Sequence, residues 1–244
     1  MCTVTYIPRG YNEFLLAANR DENLSRATAT ISIYTIGEDE VLLPVDPISK
    51  GSWIAVSTSN RAACVLNGAF RKHQHQPPYS RSRGLVLLDY FEWPGFSEFL
   101  DNYRFKGIEP FTMIVCEPGK LIEFRWDGKK AFTNHLNIDN ACIWASSTLY
   151  SEKARSARKR WFREWLKKHP EPRLADQVHF HRHGGPEDLY NGLVMNRDNR
   201  VQTLSITGIN KKSTYASLEH QDLIKHKTVK RRIDCSANET MESH

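Results

Sequence analysis

Residues 1–22 read MCTVTYIPRGYNEFLLAANRDE. Two runs in this stretch are typical of β-strands, Thr3–Ile7 and Phe14–Ala18, and the segment PRGYN between them is typical of a turn. The simplest interpretation is an antiparallel hairpin. If its turn is centred near Gly10, residue 2 lies opposite roughly residues 18–20 of the partner strand. The hairpin therefore places Cys2 beside the polar group Asn19-Arg20-Asp21-Glu22.

Cys2 is the most reactive residue type in this stretch. Removal of Met1 would leave Cys2 with a thiol and a free α-amine. An α-amine has a pKa of about 7.7–8.0 and can act as the base for its own side chain. Arg20 beside the thiol would stabilise the thiolate, and the Asp21 carboxylate would orient the α-ammonium or take part in proton transfer. Two plainer interpretations stay open: Cys2 as a small apolar residue that starts a strand, and the polar group as a solvated turn.

The composition is that of an ordinary globular protein. Of the 244 residues, 40% are hydrophobic and 25% are charged, enough for one large domain or two small ones. No apolar run approaches the roughly 18 residues of a membrane-spanning helix, and the N-terminus lacks the basic and apolar regions of a secretory signal. The 5 cysteines are scattered, which argues against a disulfide framework. We therefore expect a cytoplasmic protein.

Positive charge is concentrated in residues 151–168. This segment holds eight basic and two acidic residues, so its excess equals the net charge of +6 of the whole chain. Ala154, Ala157, Trp161 and Trp165 recur at helical spacing, which predicts an amphipathic helix that ends before Pro170. Most such helices lie on a surface with their apolar face on the core. Contact with an acidic ligand, anionic lipid or nucleic acid is the alternative, and we expect no nucleic-acid partner.

Short strand patterns dominate the rest of the chain, with helical patterns between them. Helices are predicted over residues 82–93, around 96–103 and from Pro186 to Leu193, and residues 201–209 and 214–218 have the pattern of closing strands. Strands, then helices, then strands indicate an α+β domain over residues 1–219. Residues 220–244 are polar and basic, which predicts a loosely ordered tail.

Three histidines alternate with other residues in the segment HFHRH, at His179, His181 and His183. On a strand they would share one face and could bind a metal ion. They precede the loop-like sequence GGP, however, and no cysteine or acidic cluster accompanies them. We therefore expect no metal site.

Several motifs occur together and in a fixed order. The most specific is the opening, where Met1-Cys2 and the cluster LLAANRDE over residues 15–22 are followed by Ser25-Arg26. The others are Trp53–Ser57, Ala62-Ala63, Leu66-Asn67, Ser82-Arg83-Gly84, the stretch from Trp144 to Ser147 and the strand pattern Val201–Ile209. Over residues 1 to about 219 this series resembles the NRDE domain family, which is also called the transport-and-Golgi-organisation-protein-2-like family.

This resemblance places the chain with the N-terminal-nucleophile hydrolases and implies a four-layer αββα sandwich. In related cysteine amidases an N-terminal cysteine attacks an amide carbonyl. The resemblance thus implies Cys2 as the nucleophile, Asp21 as the residue that holds the α-amine, and Arg20 as a support for the thiolate or the substrate. Asn67, at the end of a strand, is the candidate donor to the oxyanion. Many family members have asparagine where this chain has Ser147, whose hydroxyl could donate instead.

The implied reaction is hydrolysis of a linear carbon–nitrogen amide through a thioester on Cys2, with no cofactor. The expected partner is a small-molecule substrate, and the oligomeric state stays open. The matched motifs also supply candidate ligand-binding residues: Asn19, Glu22, Arg26, Trp53, Arg83 and Ser147.

The resemblance also implies a competing, non-catalytic function. Members of the family are associated with haem trafficking, and binding of lipid-linked or acyl-CoA-like molecules has been proposed for them. A haem carrier needs an apolar slot and an iron ligand, or cations for the propionates. Arg20, Arg26 and the basic helix are candidate anion partners, and Cys2 or a histidine is a candidate iron ligand. The sequence does not rank the two functions.

Overall fold

The computed structural model of the chain describes residues 3–26 and 29–235. Within these residues the strands are β1 (Thr3–Gly10), β2 (Glu13–Glu22), β3 (Thr30–Ile36), β4 (Asp39–Val45), β5 (Ile54–Ser57), β6 (Ala62–Asn67), β7 (Phe111–Glu117), β8 (Lys120–Trp126), β9 (Ala131–Leu136), β10 (Cys142–Ala145), β11 (Asn196–Arg197), β12 (Val201–Lys211), β13 (Tyr215–Asp222) and β14 (Lys227–Asp234). The helices are α1 (Arg83–Tyr90), α2 (Phe96–Asn102), α3 (Glu152–Lys168) and α4 (Leu174–His183).

The strands form two antiparallel sheets. The first sheet has the order β10-β1-β2-β12-β13-β14, with β11 paired to β12. The second sheet runs from β3 to β9 in chain order. The two edges of the first sheet are therefore β10 and β14, and its centre is the β1–β2–β12 group.

The predicted N-terminal hairpin is confirmed. Thr3 pairs with Asn19 and Val4 with Ala18, and a register shift between Pro8 and Gly10 accommodates the turn. Gly10 has a φ of +128°, which favours glycine because it has no Cβ. Met1 and Cys2 lie outside the described residues. The first described residue of the hairpin, Thr3, directly follows Cys2 in the sequence.

Side-chain alternation along the hairpin produces the layers. Leu16 and Ala18 of β2 belong to the large core that also contains the second sheet and residues of α1 and α2. Leu15, on the opposite face, packs in a separate core with Phe162 of α3 and Phe180 of α4. The order of layers is thus α3 and α4, first sheet, second sheet, α1 and α2. This is the expected four-layer αββα sandwich of the α+β class.

The basic helix forms as predicted over α3. The Ser151 hydroxyl accepts a hydrogen bond from the Ala154 backbone N–H at 3.3 Å and caps its start. Ala154, Arg158 and Phe162 are buried, while Lys159 and Arg160 are exposed. None of the helices in the described part of the chain combines the length and the apolarity that crossing a bilayer requires.

The helix predicted from Pro186 to Leu193 is wrong. Those residues form turns and loop, and the helix lies earlier, as α4. The first turn of α4 is fixed because the Asp176 carboxylate accepts a hydrogen bond from the Arg173 N–H at 2.8 Å. Its helical spacing buries His181 and leaves His179 and His183 exposed. The three imidazoles therefore do not share the single face that a strand would have given them.

The loose tail predicted over residues 220–244 differs from the structure as far as residue 235. The predicted boundary at residue 219 falls inside β13, and β14 follows and pairs with it along its whole length. Ile233 is the reason, because it pairs with Ala216 and joins the main core at 4% exposure. The other side chains of β14 are mainly charged and exposed, which gives the segment the composition of a tail. Residues 236–244 lie outside the described residues.

Candidate active site

Strand β2 sends neighbouring polar side chains to opposite faces of the first sheet. Arg20 points toward the second sheet, where its guanidinium lies over Trp53. Asn19 points toward the helices, where its Nδ2 donates to the carbonyls of His181 at 3.1 Å and Leu193 at 2.9 Å. Asp21 shares the face of Asn19 because side chains alternate along a strand. The predicted polar group is therefore not a solvated turn: Asn19, Arg20 and Asp21 are all at most 5% exposed.

Arg20 is fixed by an acid and an aromatic ring. Its Nη2 lies 2.5 Å from Oδ2 of Asp46, and its Cζ lies 4.7 Å from the centroid of the Trp53 ring. Asp46 is itself oriented, because its Oδ1 accepts hydrogen bonds from the N–H groups of Ile48 at 2.9 Å and Ser49 at 2.8 Å. The guanidinium thus has a defined plane and position before any ligand binds.

Electrostatics keep Asp46 ionised. Burial alone would raise the pKa of this carboxyl, but the Ser49 N–H and the guanidinium groups of Arg20 and Arg26 lower it, and the pKa lies below its ordinary value. Arg26 lies 3.8 Å from Asp46 and 3.2 Å from Glu22. The site therefore holds two arginines over one ionised aspartate, with Glu22 at its rim.

A cleft of about 110 Å³ lies beside this pair. It is lined by six of the residues predicted from the sequence: Arg20, Glu22, Arg26, Trp53, Asn67 and Arg83. The side-chain amide of Asn67 makes no hydrogen bond to any residue that the structure describes, so it can donate to a ligand. Arg83 lies across the cleft and pairs with Glu109 at 3.1 Å.

Two glycines form one wall of this cleft. Gly51 and Gly84 both line it, and the Ser52 N–H donates to the Gly84 carbonyl at 3.0 Å. A Cβ placed on Gly51 would lie 2.5 Å from the carbonyl carbon of Gly84, and one placed on Gly84 would lie 2.8 Å from the carbonyl oxygen of Ser52. The entry to β5 and the first turn of α1 therefore cross as bare backbone, which requires glycine at both positions.

Two predicted ligand-binding residues do not line the cleft. Asn19 is fully buried. Its Oδ1 contacts Nδ1 of His181, and its Nδ2 makes the two hydrogen bonds described above. Its side chain is saturated by α4 and the following loop, so a ligand-binding role does not fit. Ser147 packs against Gly68, the residue after Asn67, and its buried Oγ makes no hydrogen bond to any described residue. The Ser147 hydroxyl thus adjoins the candidate oxyanion donor without facing the cleft.

Asp21 is held by two hydroxyl groups. The Thr203 Oγ1 donates to its Oδ1 at 2.6 Å, and the Tyr150 hydroxyl donates to its Oδ2. Thr203 reaches it from the paired strand β12, and Tyr150 reaches it from the residues just before α3. Both oxygens of this buried carboxylate are therefore oriented from the helix side of the first sheet.

Tyr150 in turn lies under a buried cation. The Arg158 Cζ is 3.3 Å from the centroid of the Tyr150 ring, and its Nη2 donates to the carbonyls of Gly192 at 2.6 Å and Asn191 at 3.1 Å. Sequence reasoning missed Asp46, Tyr150, Thr203 and Arg158. For Arg158 a signal existed, because it lies four residues from both Ala154 and Phe162 on the buried stripe of α3.

Cys2 itself lies outside the described residues, so its distances to Arg20 and Asp21 stay predictions. The first described residue, Thr3, pairs with Asn19 on one side and with Ala145 of β10 on the other. The start of β1 therefore lies between the strand that carries Arg20 and Asp21 and the strand that leads to Ser147.

Solved structures that are similar to this chain include an amidase, an acylase and a hydrolase. The Caenorhabditis elegans ortholog of N-acylethanolamine-hydrolyzing acid amidase matches with a TM-score of 0.59 and 12% identity, over 86% of this chain and 92% of that one. Penicillin V acylase from Agrobacterium tumefaciens matches with 0.55 and 12%, over 96% and 86%. A variant of the conjugated bile acid hydrolase from Clostridium perfringens matches with 0.55 and 10%, over 100% and 99%. The chain has the N-terminal-nucleophile hydrolase fold.

The family is narrower than the fold. The family model described as Transport and Golgi organisation 2 matches residues 1–224, and the chain belongs to this family. No curated protein matches the chain. The family assignment confirms the resemblance that the opening motif carries.

Proposed function

We propose that the protein is an N-terminal-nucleophile hydrolase of linear amide bonds, with Cys2 as the nucleophile after removal of Met1. The observation that carries this proposal is the pair Arg20 and Asp21, two buried, fixed, oppositely charged groups on the strand that pairs with the start of β1. Because Cys2 is bonded to Thr3, its Cα lies about 3.8 Å from that of Thr3. We therefore expect the α-amine and thiol of Cys2 to lie beside the part of β2 that carries both groups.

In the acylation step, the Cys2 α-amine accepts the thiol proton, and Sγ forms a bond to the amide carbonyl carbon. The side-chain amide of Asn67, which has no described hydrogen-bond partner, donates to the oxyanion that develops. The carbon–nitrogen bond then breaks, and the α-ammonium gives its proton to the leaving nitrogen. The products of this step are a free amine and a thioester on Cys2.

In the deacylation step, water attacks the thioester carbonyl. The α-amine takes a proton from this water and returns it to Sγ as the carbon–sulfur bond breaks. Asp21 holds the α-ammonium through both steps, and its own orientation comes from Thr203 and Tyr150. The product is a carboxylic acid, and no cofactor is needed.

Arg20 supports the thiolate or the substrate carbonyl from the cleft side. Its pairing with Asp46 and its position over Trp53 fix the guanidinium at the wall of the cleft. Glu22, Arg26, Trp53 and Arg83 line the same cleft and are proposed to contact the substrate.

Intact mass and thiol reactivity test this proposal. The purified protein is expected to lack the mass of Met1, and Cys2 is expected to alkylate faster than Cys64 and Cys116. Burial raises the pKa of both of these thiols. Cys2→Ala is expected to abolish hydrolysis in a panel containing an N-acylethanolamine, penicillin V and a glycine conjugate, and Cys235→Ala is the matched control. A retained Met1 would remove the free α-amine of Cys2 and contradict the mechanism.

The non-catalytic alternative stays a prediction. The cleft of about 110 Å³ is smaller than the about 300–1,000 Å³ of ordinary small-molecule sites. Among the described residues that line it there is no histidine, cysteine or methionine to ligate iron. A haem titration tests this alternative, which requires a saturable shift of the Soret band.

A further inference from the structure

A second and larger cavity lies at the β10 edge of the first sheet. This groove has a volume of about 530 Å³, is bounded by α3 and β10, and reaches the second sheet at β6 and β8. Its volume falls within the about 300–1,000 Å³ of small-molecule sites. The groove is separate from the cleft beside Arg20, and none of the predicted site residues that the structure describes lines it.

One wall of the groove is cationic. Arg155, Lys159 and Arg163 are spaced four residues apart on α3, so they lie along the same face of the helix. The acid opposite them, Glu123, is already compensated: it lies 2.9 Å from Arg125 and accepts a hydrogen bond from the Trp144 indole at 2.7 Å. A second acid, Glu152, also lines the groove, but the two acids are outnumbered by five basic lining residues: Arg125, Arg155, Arg158, Lys159 and Arg163. The net charge of the lining is therefore positive.

Three buried donor atoms of residues that line the groove have no hydrogen-bond partner among the described residues. Arg158 is 0% exposed and lines the groove, and its Nε and Nη1 make no hydrogen bond to any described residue. The Nε of Arg155 is likewise buried and makes no hydrogen bond to any described residue. A buried donor without an acceptor is costly, and a buried guanidinium is satisfied by an oxygen anion. These atoms therefore point to an anionic group on a ligand.

The rest of the groove is apolar. Trp144, which is 8% exposed, Leu136 and Leu66 line it. The groove also adjoins the candidate reaction centre: Leu66 precedes Asn67, and Ala145, a lining residue, pairs with Thr3. A ligand in the groove would therefore have one end beside the start of β1.

We propose that the groove between α3 and β10 binds an organic anion with an apolar body. Its anionic group contacts Arg155, Arg158 and Lys159, and its apolar body lies against Trp144 and the neighbouring leucines. The proposal also defines the substrate class of the hydrolase, and this second part rests on the proposed function. The substrate is an amide that carries an alkyl or aromatic portion and an ionised acidic group.

Binding is tested apart from catalysis in the Cys2→Ser protein. Titration calorimetry with dodecanoate is expected to show saturable binding, and dodecanol, which has the chain without the charge, is expected to bind at least about tenfold more weakly, the effect of losing one charge-assisted contact. The double variant Arg155→Gln/Lys159→Gln is expected to weaken dodecanoate binding by about tenfold or more. The matched control is Arg160→Gln/Lys167→Gln, which removes the same charge from exposed positions of α3 that do not line the groove.

Equal weakening by the two double variants would show an unspecific charge effect and overturn the proposal, as would equal binding of dodecanoate and dodecanol.

Turnover gives the second readout. With N-dodecanoylglycine as substrate, the groove pair is expected to raise KM by about tenfold with little change in kcat, and the control pair to change neither. If the groove binds dodecanoate as expected and no amide is hydrolysed, the proposed hydrolase fails and the anion site stands. If amides are hydrolysed and the groove variants change nothing, the anion site fails alone.

Discussion

Arg20 and Arg158 are two buried arginines that the fold uses in different ways. Arg20 is fully matched, because it has an ionised aspartate at 2.5 Å and an aromatic ring beneath it. Arg158 also lies against an aromatic ring, that of Tyr150, and its Nη2 donates to two backbone carbonyls, but its Nε and Nη1 have no acceptor among the described residues. The first arrangement suits a group that must stay in place, and the second suits a group that binds a ligand.

Tyr150→Phe tests the support of Asp21. The variant removes one of the two hydroxyl donors to a buried carboxylate, and a hydrogen bond to a charged group is worth about 1.5–3 kcal/mol. We expect the free energy of unfolding in urea to fall by about that amount and amide hydrolysis to fall with it. Tyr190→Phe is the matched control, because the Tyr190 hydroxyl also donates to an aspartate, Asp198, but on the surface. Equal stability of Tyr150→Phe and the parent protein would show that Tyr150 does not position Asp21.

At the scale of single residues, the sequence predicts one strand of the site and misses its surroundings. Arg20 and Asp21 could be identified because they follow an apolar strand beside an N-terminal cysteine. Asp46, Tyr150 and Thr203 could not, because their contacts to β2 depend on how distant segments pack. Asn19 shows the limit of motif reasoning, since its position in the motif gives no sign that α4 occupies its side chain.

Helix α4 is joined to the first sheet through a buried imidazole. The Nε2 of His181 lies 2.6 Å from Oγ1 of Thr5, and its Nδ1 contacts Oδ1 of Asn19. Gln177, one turn earlier, donates to the same Thr5 hydroxyl at 2.8 Å. Burial, with a smaller effect of Arg158, lowers the pKa of His181 to about 3.

Stability is therefore expected to depend on pH through His181. Its pKa in the folded state lies below the ordinary value of about 6.5, so the unfolded chain binds more protons between pH 6.5 and about 3. The contribution of His181 to the free energy of unfolding is fully present above pH 6.5. It falls as the pH decreases, by up to about 1.4 kcal/mol per pH unit. His220, whose pKa burial lowers to about 4, adds a slope of the same sign.

Urea unfolding between pH 7 and pH 4 measures this slope. His181→Gln is expected to reduce the slope, although His220 still contributes part of the slope. His179→Gln, on the exposed face of α4, is expected to leave the slope unchanged. The slope is the diagnostic quantity, because a loss of hydrogen bonds alone would lower the free energy of unfolding by the same amount at every pH. An unchanged slope in His181→Gln would contradict a buried neutral imidazole.

Strand β14 is expected to contribute to stability although most of its residues are charged. Ile233 is 4% exposed in the main core, and replacing a buried isoleucine by alanine costs about 2–5 kcal/mol. Ile233→Ala is therefore expected to lower the midpoint of urea unfolding clearly. Arg231→Ala, at an exposed position of the same strand, is expected to leave it nearly unchanged. Similar midpoints for both variants would mean that β14 is not packed in solution.

At the scale of elements, the sequence predicts those with a regular apolar pattern. The hairpin, α1 and α3 have such a pattern and form as expected. Strand β9 has none, because its residues are exposed except for Leu136, and pairing with β8 alone makes it a strand. Helix α4 differs from the prediction because Gly184-Gly185-Pro186, which follows its end, has the pattern of a loop that precedes a helix.

The whole molecule has one main core that crosses three layers. Residues of the first sheet, the second sheet, α1 and α2 belong to the same apolar cluster, and α3 and α4 add a smaller cluster against the other face of the first sheet. We therefore expect one cooperative unfolding transition. Tryptophan fluorescence and far-UV circular dichroism should give the same midpoint in urea, and separate midpoints would mean that one layer unfolds independently.

The four-layer architecture could be predicted from the sequence only through the family resemblance. Strand and helix patterns by themselves indicate the α+β class and leave the number of layers open. The reason is that β2 is buried on both faces over most of its length, so its sequence shows no alternation that would tell which face meets a helix and which meets a second sheet.

The bare-backbone crossing of Gly51 and Gly84 constrains any redesign of the cleft. Even a methyl group at either position would collide with main-chain atoms, which do not rotate aside as a side chain does. A library intended to admit bulkier substrates must therefore leave these two codons unchanged. The variation belongs at other lining residues with side chains, such as Arg26 and Ser49.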